Sequence, residues 1–271
     1  MENRIIFLGT GGDSYVTCKG LRNSGGFVLN LEGMQFHVDP GPGAVLSSNL
    51  SGINVRETTA IFVSHNHTGH AGDLNALIEA ITLSGLDRKS VLVTNSTVFY
   101  GDPANKVWPC VSEDNKNALE KFIIVKPKQM VGIGNVDVQV TTLKHTSESV
   151  GFRFITSDYC IGYVSDTDFI PEIIEEYDKT NILIVNVLNP KGVLSKGELN
   201  SDDVVKIVSA IKPELTILTH FGTKAVNFGT LEMARDIRRE CGEQVITAKD
   251  GMKIIPSNYA NFYQKRLNNF K

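Results

Sequence analysis

The first third of the chain carries short apolar runs separated by turns that are rich in glycine. Runs of this length, with β-branched and aromatic residues, are typical of strands. The predicted strands cover 4–9, 26–32, 34–39 and 59–64. Apolar positions three and four residues apart predict a helix over 73–85, and a shorter helix is predicted over 43–50.

Strand and helix patterns then alternate along the rest of the chain. Further strands are predicted over 90–95, 122–127, 136–144, 151–156, 159–166, 181–187, 215–220 and 244–248. Helices are predicted over 170–178, 201–211 and 230–241. This pattern indicates the α/β class. No repeat or linker divides residues 1–271, so one domain is predicted, with a tail at 257–271 whose four aromatic residues are expected to dock.

Composition narrows the class of protein. The chain is 41% hydrophobic and 21% charged, as in ordinary globular proteins, and its net charge of −3 suggests no general attraction to nucleic acid or anionic membranes. No apolar run approaches the ~18 residues of a membrane helix. The four scattered cysteines and the early first strand, which leaves no room for a signal peptide, predict a cytoplasmic protein.

The segment "SHNHTGHAGD" at 64–73 places three histidines within six positions, directly after a predicted strand. In extended chain, His65 and His67 point to one side, so they can converge on one ion, and His70 can reach a neighbouring ion. Imidazole is the commonest side-chain ligand of transition metals. The cluster therefore favours a metal site over three unrelated surface histidines.

Three further residues end predicted strands: His145, Asp166 and His220. Sites in layered α/β proteins gather where strands end and loops begin. We therefore expect these residues to join the cluster. His37 lies within a strand and is expected to have no catalytic role, and the "GTGG" loop at 9–12 is interpreted as a structural turn rather than a phosphate-binding nest.

The order of these motifs resembles the metallo-β-lactamase superfamily, and the flanking segments resemble its ribonuclease Z-like branch. The matching segments are "FLGTGG", "LRNSGG", "VDPGPG", "HTSESVGFRF", "VSDTD", "LTHFG" and "AKDGM". The resemblance implies a four-layer αββα sandwich with the site at one edge, between the two sheets. It also implies a metal-dependent hydrolase, and relatives of this kind are often homodimers.

The resemblance also implies a ligand set for two divalent ions. His65, His67 and His145 would hold the first ion, His70 and His220 the second, and Asp166 would bridge both. Zinc is the expected metal, with Mn, Fe or Co as alternatives. Asp166, His70 and His220 are the expected catalytic residues.

Four other residues are expected around this site. Asp39 would fix a ligand imidazole or the loop beneath it. Asp73 follows the histidine motif, where capping of the helix that starts there is the favoured role. Ser147 and Glu148 either line the pocket or form a solvated turn.

Gly69 departs from the family pattern, which has an aspartate ligand of the second ion at this position. Glycine cannot ligate a metal, so the second site is expected to be weakened and the centre to be more electropositive. Three explanations stay open: a natural variant with altered chemistry, a relative that binds without turnover, and a mutant of an active parent.

A phosphodiester is the favoured substrate, either a cyclic nucleotide or a short nucleic-acid end, cleaved by a metal-activated hydroxide. The tRNA 3′-processing nucleases of this branch carry a long arm between the third-motif histidine and the bridging aspartate, but His145 and Asp166 are only 21 positions apart. The tRNA substrate is therefore disfavoured. Hydrolysis of a lactone, thioester or β-lactam, and a purely binding role, remain as alternatives.

Overall fold

The computed structural model describes residues 2–259, which form two seven-stranded sheets with helices outside them. The strands are Arg4–Phe7 (β1), Phe27–Leu31 (β2), Met34–Val38 (β3), Thr58–Val63 (β4), Lys89–Thr94 (β5), Leu119–Ile124 (β6), Met130–Ile133 (β7), Val136–Thr142 (β8), Val150–Ile155 (β9), Cys160–Val164 (β10), Ile182–Asn186 (β11), Leu215–Thr219 (β12), Val245–Thr247 (β13) and Lys253–Ile254 (β14). The helices are Ser14–Cys18 (α1), Ala44–Leu50 (α2), Thr68–Ala71 (α3), Leu74–Thr82 (α4), Ser96–Tyr100 (α5), Glu113–Ala118 (α6), Pro171–Glu176 (α7), Ser201–Ile211 (α8), Thr223–Phe228 (α9) and Thr230–Cys241 (α10). Short 3₁₀ helices cover Val55–Glu57, Pro103–Asn105 and Pro256–Asn258.

Each sheet is antiparallel in one half and parallel in the other. The first has the order β14-β1-β2-β3-β4-β5-β6 and is parallel from β3 to β6. The second has the order β13-β12-β11-β10-β9-β8-β7 and is parallel from β10 to β13. Because β8 and β10 are both antiparallel to β9, the C-terminal ends of β8, β10, β11 and β12 lie at the same edge of the second sheet.

Three large apolar clusters define the layers. The cluster between the sheets includes Phe36, Phe62, Phe152 and Phe154, whose rings pack edge to face or stack. A second cluster joins the outer face of the second sheet to α7, α8 and α10, and a third joins the first sheet to α4, α5 and α6. The predicted αββα sandwich is confirmed.

Local sequence explains the helices with the sharpest limits. In α8, Asn200 accepts from the backbone of Asp203 while the Asp203 carboxylate accepts from the Asn200 backbone, which forms a capping box at the helix start. Helix α10 ends at Gly242, which takes the left-handed conformation. Both helices have the predicted limits, 201–211 and 230–241.

Other elements differ from prediction. Strand β6 begins three residues before the predicted 122, because its first residues are mostly exposed and polar and give no apolar signal. The short strand β7 and the short helices α1, α3, α5, α6 and α9 were not predicted, since so few residues carry no readable periodicity.

The end of the described chain lies against the core between the sheets. Tyr259 packs on this cluster, which agrees with docking at the start of the predicted 257–271 tail. The rest of that tail lies outside the described residues. Within residues 2–259, no helix is both long and apolar enough to cross a bilayer.

Candidate metal centre

The site is built where strands of both sheets end at one edge. Ser64 and His65 follow β4, and Asp39 follows β3. In the second sheet, His145, Asp166 and His220 follow β8, β10 and β12. Six residues predicted as ligands thus come from four strand ends, and the structure brings all six together.

The loop after β4 explains how three neighbouring histidines face one point. His65 is fully buried, whereas His67 is exposed and occupies the position before the one-turn helix α3. One turn later, His70 is buried again, so that its ring faces inward beside that of His65, with 4.1 Å between ring centroids. Gly69 lies in this turn, between two of the candidate ligands.

Asp166 is the centre of one group. Its Oδ2 lies 3.0 Å from His70 Nε2, 3.2 Å from His220 Nε2 and 3.7 Å from His65 Nε2. Its Oδ1 accepts a hydrogen bond of 2.7 Å from Asn186 Nδ2. One carboxylate oxygen is therefore held by the protein, and the other faces three imidazoles.

The second group consists of imidazoles only. His67 Nδ1 lies 3.1 Å from His145 Nε2, and the candidate ligand atoms of His65, His67 and His145 lie within 4.8 Å of one another. His145 Nδ1 donates to the Gly197 carbonyl at 2.6 Å, which directs Nε2 to the cluster. His65 Nδ1 lies 3.0 Å from Ser64 Oγ, so that Nε2 of this ring also faces inward.

Asp39 contacts His70 directly and contacts Ser64, whose hydroxyl lies beside His65. Its carboxylate accepts from the Ser64 N–H at 2.7 Å, from Tyr163 Oη at 2.7 Å and from His70 Nδ1 at 2.8 Å. Asp39 and His220 both have a positive φ, 51° and 62°, which is uncommon for residues other than glycine and is often found at functional sites. Asp39 thus contacts both a candidate ligand, His70, and the loop that carries Ser64.

Charge and burial shift the ionisation of these groups. Burial lowers the pKa of His70, but the facing carboxylates of Asp166 and Asp39 outweigh burial and raise that pKa to about 10. Burial lowers the pKa of His65 well below its ordinary value, and the neighbouring His70 adds to this effect. Burial favours neutral Asp166, yet His220 and His70 hold its pKa well below the ordinary value. A neutral His65 and an ionised Asp166 are the forms that bind metals.

Comparison with known proteins agrees with this geometry. The sequence profile of the Beta-lactamase superfamily domain matches residues 35–221, which is more than half of the chain. The chain belongs to this superfamily. The matched span includes all six candidate ligands.

Three other proteins are similar to the chain over most of its length. An uncharacterised protein of Methanocaldococcus jannaschii is 34% identical over 97% of this chain and 99% of its own length. The ribonuclease Z of Borreliella afzelii is 22% identical over 98% of this chain and 100% of its own. A diphosphatase of the PhnP family shares the fold, with a TM-score of 0.68, 19% identity and coverage of 94% and 97%.

The superfamily fold implies divalent metal ions, and the residues present fit them. His65 Nε2 is buried and has no hydrogen-bond partner within the described residues, although it faces the cluster. A buried polar atom of this kind is costly unless something satisfies it, and a cation between the imidazoles would do so. Histidine nitrogen and carboxylate oxygen are suitable ligands for Zn, Mn, Fe or Co.

Three of the other residues expected near the site make no hydrogen bond to the candidate ligands within the described residues. The Asp73 carboxylate accepts from Val45 N at 3.2 Å, so it caps α2. The prediction that it caps α4, the helix that follows it, was wrong. Asp73 is not in the extended conformation typical of a capping residue, and its side chain makes no capping hydrogen bond to α4. Glu148 accepts from Thr97 N at 3.0 Å at the start of α5. Ser147 Oγ is buried and has no hydrogen-bond partner among residues 2–259.

The glycine loop at 9–12 and His37 both lie outside the cluster, and their contacts indicate structural roles. The amides of Gly11 and Gly12 donate to the carbonyls of Asn23 and Phe221, so they are occupied rather than free for phosphate. A Cβ at Gly12 would lie 2.2 Å from the His220 carbonyl oxygen, so the loop packs closely under this ligand. His37 is buried among apolar residues, and burial lowers its pKa to about 3.

Several site residues were missed from the sequence. Asn186 follows the same rule as Asp166, since it is the polar residue at the end of β11, and could have been found. Tyr163 lies within β10 and gives no polar signal of its own. Glu198 lies in the loop before α8, and only the tertiary fold brings it near His145 and Asp166.

The Asp39 network leads to the first testable prediction. Asp39→Asn replaces one acceptor oxygen by a donor that faces the Ser64, Tyr163 and His70 donors, so we expect a loss of about 3 kcal/mol in the free energy of unfolding. Metal affinity should fall by about 10- to 100-fold, because His70 loses its orientation. Denaturant unfolding and chelator competition measure the two effects.

Asp73→Asn is the matched control for Asp39→Asn. Its carboxylate is the same in chemistry but caps α2, with one hydrogen bond of 3.2 Å, and a lost cap costs about 1 kcal/mol. Equal losses of stability and unchanged metal affinity in both variants would contradict the role given to Asp39.

Proposed function

We propose that the protein is a metal-dependent hydrolase of small phosphodiesters. One observation carries this proposal: two adjoining groups of candidate ligands, one around Asp166 and one of imidazoles only, share His65 at the edge where both sheets end. This is the donor arrangement of a two-ion centre. When bound there, divalent ions supply an activated water and neutralise charge that develops on the ester.

Hydrogen bonds from neighbouring residues fix the orientation of several candidate ligands. Asn186 holds Asp166 Oδ1, Gly197 holds the His145 ring, and Asp39 holds His70. Asp166, His145 and His70 are thus each oriented by a hydrogen bond on the atom that does not face the cluster. Pre-orientation of this kind lowers the cost of organising the site during the reaction.

The surroundings of Gly69 leave room for a small substrate. A cavity of about 410 Å³ opens beside Gly69 and is lined mainly by small or hydroxyl-bearing residues. The lining consists of Gly11, Gly12, Asp13, Ser14, Thr17, Ser24, Pro42, Thr68 and Gly69. Its volume lies within the ordinary range for small-molecule sites.

The names of the similar proteins favour phosphorus chemistry over carbonyl chemistry. Ribonuclease Z and diphosphatase both denote cleavage at phosphorus. The alignment with ribonuclease Z spans 324 positions, more than the 271 residues of this chain, so that relative carries segments that this chain lacks. Between His145 and Asp166 the chain has only β9, β10 and their connections. These features favour a phosphodiester smaller than tRNA.

Hydrolysis of bis(p-nitrophenyl) phosphate tests the proposal. With Mn²⁺ or Zn²⁺ added, we expect turnover of this diester at least about 10-fold above that of nitrocefin or a simple lactone, because the centre is proposed to stabilise charge on phosphorus. Release of p-nitrophenolate is followed by absorbance, and chelator should abolish it. Turnover of the lactone or nitrocefin alone would assign carbonyl hydrolysis instead.

A further inference from the structure

Glu198 belongs to a third group of candidate metal ligands, together with His145 and Asp166. Among residues 2–259 it is the one acidic member of these groups that was not predicted from the sequence. Its carboxylate and the candidate ligand atoms of His145 and Asp166 lie within 4.8 Å of one another. The side chain is partly buried. It comes from the loop between β11 and α8, far along the chain from the histidine motif.

The surroundings of Glu198 do not satisfy its carboxylate. Within the described residues the carboxylate accepts no hydrogen bond, although its backbone N–H donates to the Ser195 carbonyl. His145, which lies beside Glu198, also belongs to the group of His65 and His67.

The backbone holds Glu198 firmly in this place. The Gly197 carbonyl accepts from His145, and the Gly197 N–H donates to Asp168 Oδ1 at 2.7 Å. Gly197 has φ +78°, and a Cβ there would lie 2.7 Å from His145 Nδ1, so glycine is required for this contact. Leu199 on the other side is buried, and Asn200 begins α8. Glu198 is therefore directed to the centre by elements that are themselves fixed.

We propose that Glu198 is a ligand of the ion held by His65, His67 and His145, and that its negative charge replaces the charge missing at Gly69. A cation beside His145 would satisfy the Glu198 carboxylate and the facing Asp166 at once. The acidic group absent at Gly69, beside His220, would then be matched by the acidic group of Glu198, beside His145. This inference rests on the metal centre of the proposed function.

Glu198→Gln tests the inference, with Glu148→Gln as the matched control. Both remove one carboxylate near the site, but Glu148 contacts Ser96 and Thr97 at the start of α5. We expect Glu198→Gln to weaken binding of the first Co²⁺ ion by about 10- to 100-fold and to change its visible absorption spectrum. Glu148→Gln should change this affinity by less than about 2-fold. Titration with Co²⁺ alone, against a competing chelator, measures both.

Equal Co²⁺ affinity and an unchanged spectrum in Glu198→Gln would overturn the inference. Misfolding is not expected to obscure this result, because the substitution removes an unsatisfied carboxylate, and thermal melting of the metal-free variant checks it. The assay contains no substrate. A protein that shows the loss of affinity but no diester hydrolysis would therefore support Glu198 as a ligand and contradict only the proposed substrate.

The replacement of charge is tested in a second background. If Glu198 makes up for the charge absent at Gly69, the loss of Co²⁺ affinity caused by Glu198→Gln should be smaller when Gly69→Asp is also present. An equal loss in both backgrounds would overturn the charge replacement.

Discussion

Gly69→Asp is expected to raise the affinity for the second ion and the rate of diester hydrolysis by about 100-fold each, since one charged group at a reacting centre is commonly worth this factor. The structure has room for the new side chain. A Cβ built at Gly69 approaches only one atom within 4 Å, His220 Cε1 at 4.0 Å, and the backbone at Gly69 is not left-handed. The Cβ of the new side chain would therefore lie beside His220 without displacing its neighbours.

The physical reason for the gain is the charge and the additional ligand. Without an acid at residue 69, the second ion would depend on His70, His220 and the shared Asp166. Three protein ligands suffice for a catalytic zinc site, but a fourth, anionic ligand strengthens binding. Ions per chain, measured by plasma mass spectrometry after purification without added metal, and kcat/KM for bis(p-nitrophenyl) phosphate give the two readouts.

Two controls separate charge from shape. Gly69→Asn has almost the same shape as Gly69→Asp but no charge, and Gly69→Ala removes only the flexibility of glycine. Neither is expected to raise second-ion affinity by more than about 3-fold, since a neutral amide is a weak ligand for transition metals. If Gly69→Asn gives the same gain as Gly69→Asp, or if Gly69→Asp gives none, the second-ion assignment for His70 and His220 is wrong.

The parts of the fold that could be predicted are those with long or regular patterns. Strand β11 is a run of buried apolar residues, and α8 combines an apolar stripe with a capping box, so both were found within one residue of their limits. Strand β6 lies at the edge of its sheet, where exposed residues replace the apolar signal. Its start was therefore misplaced.

The same contrast holds for the site. His65, His145, Asp166 and His220 could be brought together from the sequence because each follows a predicted strand, and sites in layered α/β proteins gather where strands end. Glu198 could not, since it lies in a loop whose path depends on the contacts of Gly197 with His145 and Asp168. Strand ends can be read from a pattern, whereas loop positions depend on tertiary contacts.

His67→Ala is expected to have the largest effect on the first ion. His67 is exposed and its ring nitrogen contacts only His145 in the cluster, so its removal should leave the metal-free protein as stable as before, within about 0.5 kcal/mol. The loss of one of three imidazoles should weaken first-ion binding by about 1,000-fold and reduce diester hydrolysis to a similar extent. Metal titration and kinetics of the same preparation measure both.

His220→Ala complements His67→Ala, because the two variants are expected to lose different ions. His220 faces Asp166 and His70 and lies outside the imidazole group of His67 and His145. We expect His67→Ala to lose the first ion and keep whatever binds at the second site, and His220→Ala to do the reverse. Loss of the same ion in both variants would mean that the cluster is one metal site rather than two. In that case Gly69 would have removed the second site altogether, and Glu198 would complete a centre with a single ion.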